Sequence, residues 1–266
     1  MNTTINTAIV VNESVKRVPM SSLRKTSLAA GVLYLLTFVS IPTISLYSSV
    51  HNPDYIIGPG PDTAAITGGI LEIIVALTSI GTAIVLYPVL KKQNEGLALG
   101  LVASRILEAS TIFVGVAFLL SIVSLRKAGA GADALITGHA LAILYDRIFL
   151  LGQSFMPAIN DLLLGFLLYQ SRLVPRALSL TGIFGAVPLI AGYIAVLFGV
   201  IKQHSPMEGL ASLLVALFEF SLGIYLVVKG FKPSAITRGM LQFSIQKIGS
   251  APVCIPHPSA SPLPTR

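Results

Sequence analysis

Six stretches of the chain stay apolar for longer than a globular helix needs, and short polar or basic segments separate them. They lie at approximately residues 27–49, 64–90, 96–125, 140–170, 178–201 and 209–229. At ~1.5 Å of rise per residue, about 20 residues cross the ~30 Å hydrocarbon layer of a bilayer, so each stretch is long enough to span it. The third and fourth exceed that length and predict helices that tilt or protrude. The pattern therefore predicts an all-α fold, a polytopic membrane protein built as a bundle of six transmembrane helices. A basic flank precedes the first stretch, as in a signal peptide. Its ~23 apolar residues exceed the usual core of roughly 7–15 residues, and no small-x-small cleavage pattern follows, so it is expected to remain as a span.

The flanks differ from this middle. Residues 1–20 are polar and patternless, which predicts a disordered N-tail. Residues 21–232 form the membrane domain, and 233–266 a Pro-rich C-tail. Within that tail, Ala235–Ile248 reads either as a weak interfacial helix, with Ile236, Met240, Leu241, Ile245 and Ile248 apolar, or as unstructured chain. Pro252, Pro256, Pro258, Pro262 and Pro264 argue against order beyond it.

Composition agrees with the pattern. Hydrophobic residues make up 54% of the chain and charged residues 11%, against about 25% charged in an average soluble protein. The mean hydropathy is +0.83. The net charge of +7 does not form a basic patch, so no nucleic-acid partner is expected; the lipid bilayer is. Lys16, Arg17, Arg24, Lys25, Lys91, Lys92, Arg172, Arg176, Lys229, Lys232, Arg238, Lys247 and Arg266 fall on one side of a six-span topology. Arg126, Lys127 and Lys202 fall on the other. The excess of Lys and Arg on the first side predicts a multi-pass protein of the cell membrane with both termini in the cytoplasm. Cys254 is the single cysteine, so no disulfide or thiolate metal site is expected.

The informative chemistry is inside the spans. Glu72, Arg105, Glu108, Asp146, Arg147, Asp161 and Glu219 are ionisable, and a charge at the bilayer centre costs roughly 2.5–3.5 kcal/mol. Arg105 and Glu108 share a helical face three residues apart. Counting depth from the span ends places Glu72, Glu108 and Glu219 near the midplane with Arg105 within reach, a buried cluster of three carboxylates around one guanidinium. In the fourth span Asp146-Arg147, Gln153-Ser154 and Asn160-Asp161 recur every seven residues, nearly two helical turns, and predict one polar stripe. Pro157 cannot donate to the carbonyl of Gln153, which predicts a kink and a free acceptor within the stripe. Five acids against two arginines leave a surplus of negative charge, which favours proton-sensitive carboxyls or a cation-attracting cavity. The bland alternatives are that Arg105–Glu108 only fixes helix packing and that Asp146-Arg147 reaches the interface. Asp161 could pair with Arg105 at similar depth or reach the interface. Glu72 and Glu219, with no basic neighbour in sequence, are the leading functional pair. Gly96 and Gly100, and Gly182, Gly185, Gly192 and Gly199, are candidate packing faces.

Several enzyme classes lack their signatures. No span contains a Lys for a Schiff base, and the four His, at 51, 139, 204 and 257, lie in loops, tail or span ends. There is no His-Glu-x-x-His, Gly-x-Ser-x-Gly, phosphate-loop or dinucleotide glycine pattern. Asp146 and Asp161 lie ~22 Å apart along one helix, too far to share a proton. No catalytic set, cofactor or metal is expected, and an enzyme is disfavoured. The leading reading is binding or transport of a proton, cation or small solute at a polar intramembrane site drawn from Glu72, Glu219, Glu108, Arg105, Asp146, Asp161, Gln153 and Asn160. The alternative is a non-catalytic protein whose buried charges only assemble the helices or dock a partner protein.

The run Leu86–Gly100 (LYPVLKKQNEGLALG), followed by Arg105 and Glu108, resembles a family of bacterial six-helix membrane proteins described as a domain of unknown function. Arg24-Lys25, Gly31-Val32-Leu33-Tyr34, Tyr145-Asp146 and Lys229-Gly230-Phe231 are similar too. The resemblance covers roughly residues 21–232 and implies membrane location and six helices, but no activity.

Overall fold

The computed structural model describes residues 21–59 and 61–240. Among these residues the structure is mostly helical and contains no strand. The α-helices are α1 (Ser22–Thr37), α2 (Thr43–Tyr47), α3 (Thr63–Leu90), α4 (Glu95–Lys127), α5 (Leu135–Phe149), α6 (Met156–Ser171), α7 (Arg176–Leu197) and α8 (Pro206–Val228). With short 3₁₀ and π turns they make six spans long and apolar enough to cross a membrane: Ser22–His51, Thr63–Leu90, Glu95–Lys127, Ala132–Ser171, Arg176–Leu197 and Pro206–Val228. The protein is a multi-pass, all-α membrane protein. The predicted N-tail, residues 1–20, lies outside the described residues, as does the C-tail beyond 240.

Local chemistry sets most boundaries. Ser21, Asn94 and Ser205 each accept a hydrogen bond from the backbone N–H three residues on, capping α1, α4 and α8. The fifth span ends at Leu197 rather than near residue 201. There Gly199 adopts φ +70°, and Val200 N–H turns back to the Ala195 carbonyl at 2.8 Å, the left-handed stop common at helix ends. Arg24 donates to the last carbonyls of α8, Leu226 at 2.9 Å and Val227, placing a guanidinium at the negative end of that helix. Arg24 and the Lys229–Phe231 segment, the two ends of the family-like region, thus meet in space. After α8 the chain bonds back through Lys232 N–H to the Leu173 carbonyl at 2.7 Å. A further helix starts at 235, where Ser234 and Thr237 cap each other reciprocally, and Ile236 and Met240 pack on the apolar core.

The spans close into a ring. α1 packs against α3 and α8, α3 against α4, α4 against α5 and α6, α6 against α7, and α7 against α8. Lipid tails are as apolar as leucine, so van der Waals contact rather than water exclusion must hold such a ring together. Close approach makes that contact possible. A Cβ on Gly31 would stand 2.7 Å from the Gly223 carbonyl oxygen, so α1 and α8 cross almost backbone to backbone. Gly182, Gly185 and Gly192 also lie against α8, as the fifth-span glycines suggest. Gly96 and Gly100 do not form a packing face: a Cβ there would meet only Asn94 at 3.5 Å and Leu163 at 4.0 Å. The outer surface is apolar. Ile70, Leu77 and Ile84 on α3, and Leu99, Ile106 and Phe113 on α4, are exposed every seventh residue, as a lipid-facing helix requires.

Two apolar clusters bracket the ring interior. One, at the end bearing the start of α1 and the end of α8, joins Tyr34, Leu86, Leu90, Leu101, Leu164, Phe218 and Leu222. The other, at the opposite end, joins Tyr47, Tyr55, Leu119, Ile122 and Tyr145. Between them lies the polar interior.

Candidate functional site

Arg105 organises the interior. Its guanidinium donates to Glu108, three residues on along α4, at 3.0 Å, and its other terminal nitrogen donates to Glu219 on α8 at 2.6 Å. That nitrogen also lies 3.3 Å from the Tyr34 hydroxyl on α1. Asn160 on α6 donates to the Glu108 oxygen that Arg105 also holds, at 3.0 Å. Four spans therefore converge on one guanidinium. Asp161, next to Asn160, is fully buried within electrostatic reach of Arg105, Glu108 and Glu219. Neither of its oxygens has a hydrogen-bond partner among the described residues, and the same holds for Arg105 Nε and Asn160 Oδ1.

The expected three-carboxylate cluster is thus revised. Glu219 is not partnerless; it is one of the two acids on Arg105. Glu72 is elsewhere, fully buried on α3 and accepting from the Tyr145 hydroxyl at 2.7 Å, with its second oxygen unpartnered. Depth counting sets these residues at similar heights, but it cannot fix the angle at which each faces the ring. Glu72 and Glu219 do not form a pair.

A cavity of about 230 Å³ opens beside Arg105, Glu108 and Glu219, and all six spans contribute to its walls. Thr37, Ser79, Gln153 and Ser212 add polar groups, and Ile41, Ile112, Leu189 and Val215 add apolar ones. A second cavity of about 370 Å³ shares Ser40, Ile41, Gln153, Leu189 and Ser212 with the first and continues it toward His204, Ser205 and Glu208.

The fourth span shapes this space. The kink expected at Pro157 takes the form of a π-helical turn over Leu150–Phe155, in which Met156 N–H reaches back five residues to the Leu151 carbonyl. One extra residue in the turn lets the ladder bypass the N–H that Pro157 lacks. Gln153 sits in that turn, on the wall shared by both cavities. The stripe is interrupted accordingly. Asn160 and Asp161 are interior, Gln153 and Ser154 line the cavities or bond within them, and Arg147 is not paired with Asp146.

Asp146 has partners that sequence spacing does not show. His51 Nε2 lies 2.9 Å and His204 Nε2 3.8 Å from its Oδ1, and Gln203 donates to its backbone carbonyl at 2.8 Å. His51 is 95 positions away in the chain, at the end of another span. Glu208 is a second residue that counting charges within the spans does not single out. Its carboxylate accepts from Ser154 at 3.1 Å and from the His204 backbone N–H. A signal for it exists: Ser205-Pro206-Met207-Glu208 has the Ser-x-x-Glu spacing of a helix-capping box.

Among the described residues no group of three or more His, Cys, Asp or Glu is arranged to hold a metal ion. No curated protein and no solved structure is detectably similar to the chain. The family-like string Tyr87-Pro88…Asn94-Glu95-Gly96…Arg105…Glu108 acquires a physical meaning. Tyr87 donates to Glu95 at 3.3 Å, Asn94 caps α4, and Arg105–Glu108 anchors the interior. A family model described as "Domain of unknown function (DUF4386)" matches residues 29–230, and the chain belongs to that family.

Proposed function

We propose that the protein binds a small cationic solute in the cavity beside Arg105 and serves its passage into or across the bilayer. One observation carries this reading. A cavity reached by all six spans has one guanidinium held by two carboxylates, with the unpartnered Asp161 within electrostatic reach, so ionised acids outnumber the guanidinium there. A cation supplies what the protein lacks there, and low local dielectric strengthens the attraction. The Lys and Arg distribution supports termini on the cytoplasmic side. The apolar cluster around Tyr34, Leu90, Leu164 and Phe218 then closes the cytoplasmic side, while the cavity extends toward the outer side.

A second reading has its own support. Arg105 joins α1, α4 and α8, and Glu108–Asn160 joins α4 to α6, which is what a purely structural staple would do. Ligand response separates the two. The purified protein in nanodiscs is titrated with tetramethylammonium while its melting temperature is followed. Saturable stabilisation that disappears in Glu219→Gln supports the binding site; a folded wild-type protein that responds to no cation leaves only the staple.

A further inference from the structure

The shape of the cavity says how a ligand reaches it. In the half of the ring where α1 starts and α8 ends, these two helices are in backbone contact at Gly31 and Gly223. Past Phe38, which stacks edge-on against Phe220 with centroids 5.1 Å apart, the first span breaks at Ile41-Pro42. Pro42 has no N–H with which to continue the hydrogen-bond ladder. The next segment, α2, packs on α3, where a Cβ at Gly68 would strike Tyr47 at 2.8 Å. The first span and α8 therefore diverge like the sides of a wedge, and both cavities lie in the opening, with Ile41 and Ser212 on opposite lips.

Residue count sets that opening at the depth of lipid. Ile41 stands sixteen residues beyond Lys25. At ~1.5 Å per residue that is roughly 24 Å along the span, inside the ~30 Å hydrocarbon layer. It is 73% exposed while lining the cavity, so the slot passes from the charged interior directly to the depth of the acyl chains. At the inner end the accessible charge is negative. The Arg105 side chain is only 3% exposed and already held by two carboxylates, whereas Glu219 is 13% exposed.

Building on the cation-site reading, we infer that the ligand is an amphiphile with a cationic head group, which slides in sideways from the membrane between the first span and α8. Its head sits at Glu219 and Glu108, and its alkyl chain leaves past Ile41 into the lipid. A chain far larger than the cavity is tolerated because it need not be enclosed.

The test compares decyltrimethylammonium with tetramethylammonium in nanodiscs, correcting for uptake by empty discs. Partitioning of a tail strengthens binding from water by roughly 3- to 4-fold per methylene. The longer cation is expected to bind saturably and at least ~100-fold more tightly, with no competition from decyl sulfate. Gly209 borders the slot, and a Cβ added there meets nothing within 4 Å, so Gly209→Trp is the variant chosen to place a bulky ring at the opening. It should weaken decyltrimethylammonium at least tenfold and leave tetramethylammonium within twofold, whereas Glu219→Gln should weaken both. If tetramethylammonium binds but the decyl chain adds nothing, if decyl sulfate competes equally, or if Gly209→Trp affects neither cation, the lateral route is overturned and the cation site stands. If neither cation binds saturably, both fall.

Discussion

Replacing Arg105 by Met is the sharpest perturbation of the interior. The side chain is 3% exposed, bonds two carboxylates at 3.0 and 2.6 Å, and touches the Tyr34 hydroxyl. Methionine fills similar space and removes all of these. Breaking a buried ion pair by removing one partner costs about 3–5 kcal/mol, because the other charge is left uncompensated in low dielectric. Here two carboxylates are stranded at once, so the upper part of that range applies to Arg105→Met: a loss of about 4–5 kcal/mol, roughly a thousandfold or more in the folding equilibrium. The cost belongs to the stranded acids rather than to the missing arginine. Glu108→Gln and Glu219→Gln added to Arg105→Met should therefore return stability to within about 1–2 kcal/mol of wild type, since neutral amides are far cheaper to bury than carboxylates. Reversible unfolding in mixed micelles, followed by circular dichroism across an SDS titration, measures wild type and these variants. A single-mutant loss below about 1 kcal/mol, or a triple mutant no more stable than Arg105→Met, would refute the claim that Arg105 is the counter-ion of Glu108 and Glu219. Arg105→Lys tests geometry separately. One ammonium cannot present the planar fork that reaches two carboxylates on different helices, so an intermediate loss is expected.

Three further expectations rest on single contacts. Gly31→Ala brings a methyl within 2.7 Å of the Gly223 carbonyl oxygen and 2.8 Å of Val227, forcing α1 off α8. The same SDS titration should register a loss of about 1–3 kcal/mol. The chain contains no tryptophan, so Ile41→Trp creates a single, selectively excitable tryptophan at the slot lip. Lipids brominated at mid-chain should quench it strongly and aqueous iodide weakly, and the reverse order would show that the slot opens to water. In the segment before α3, burial and the 2.8 Å hydrogen bond to Asp62 push the Tyr55 phenol above its ordinary value of 10.0. The neutral phenol's contribution is thus fully present below pH ~10 and lost as pH rises from there toward the raised folded value. Wild type should lose stability in alkaline titration faster than Tyr55→Phe, and equal slopes would count against it.

What the sequence makes legible and what it hides divide along a physical line. Span number, span length and the Arg105–Glu108 pair depend on spacing within one helix, where a rise of ~1.5 Å per residue and about 3.6 residues per turn fix both height and face. Contacts between helices need one more coordinate, the rotation of each helix about its own axis. When nearly every residue of a span is apolar, no amphipathic stripe records that rotation. Glu72 and Glu219 illustrate the gap: each is the lone acid at mid-depth of its span, their heights are similar, and yet one faces Tyr145 and the other Arg105. The histidines on Asp146 stay hidden for a related reason. His51 closes a broken first span and His204 sits in the turn before α8 with φ +58°, so neither position follows from helical periodicity. Irregular backbone is announced by the sequence at Pro157, while the break at Pro42 comes from the structure. In lipid a missing donor must be made good inside the protein or beside a cavity, and Ile41 and Pro157, at the two breaks, border the same space. One break diverts the first span away from α8, and the other turns Gln153 into the wall. A proline alone does not mark such a place, since Pro188 sits within the unbroken α7; the cavity lies where the backbone breaks and the charges of Arg105, Glu108 and Glu219 coincide, because the charges state what is attracted while the breaks state where the ring had to open.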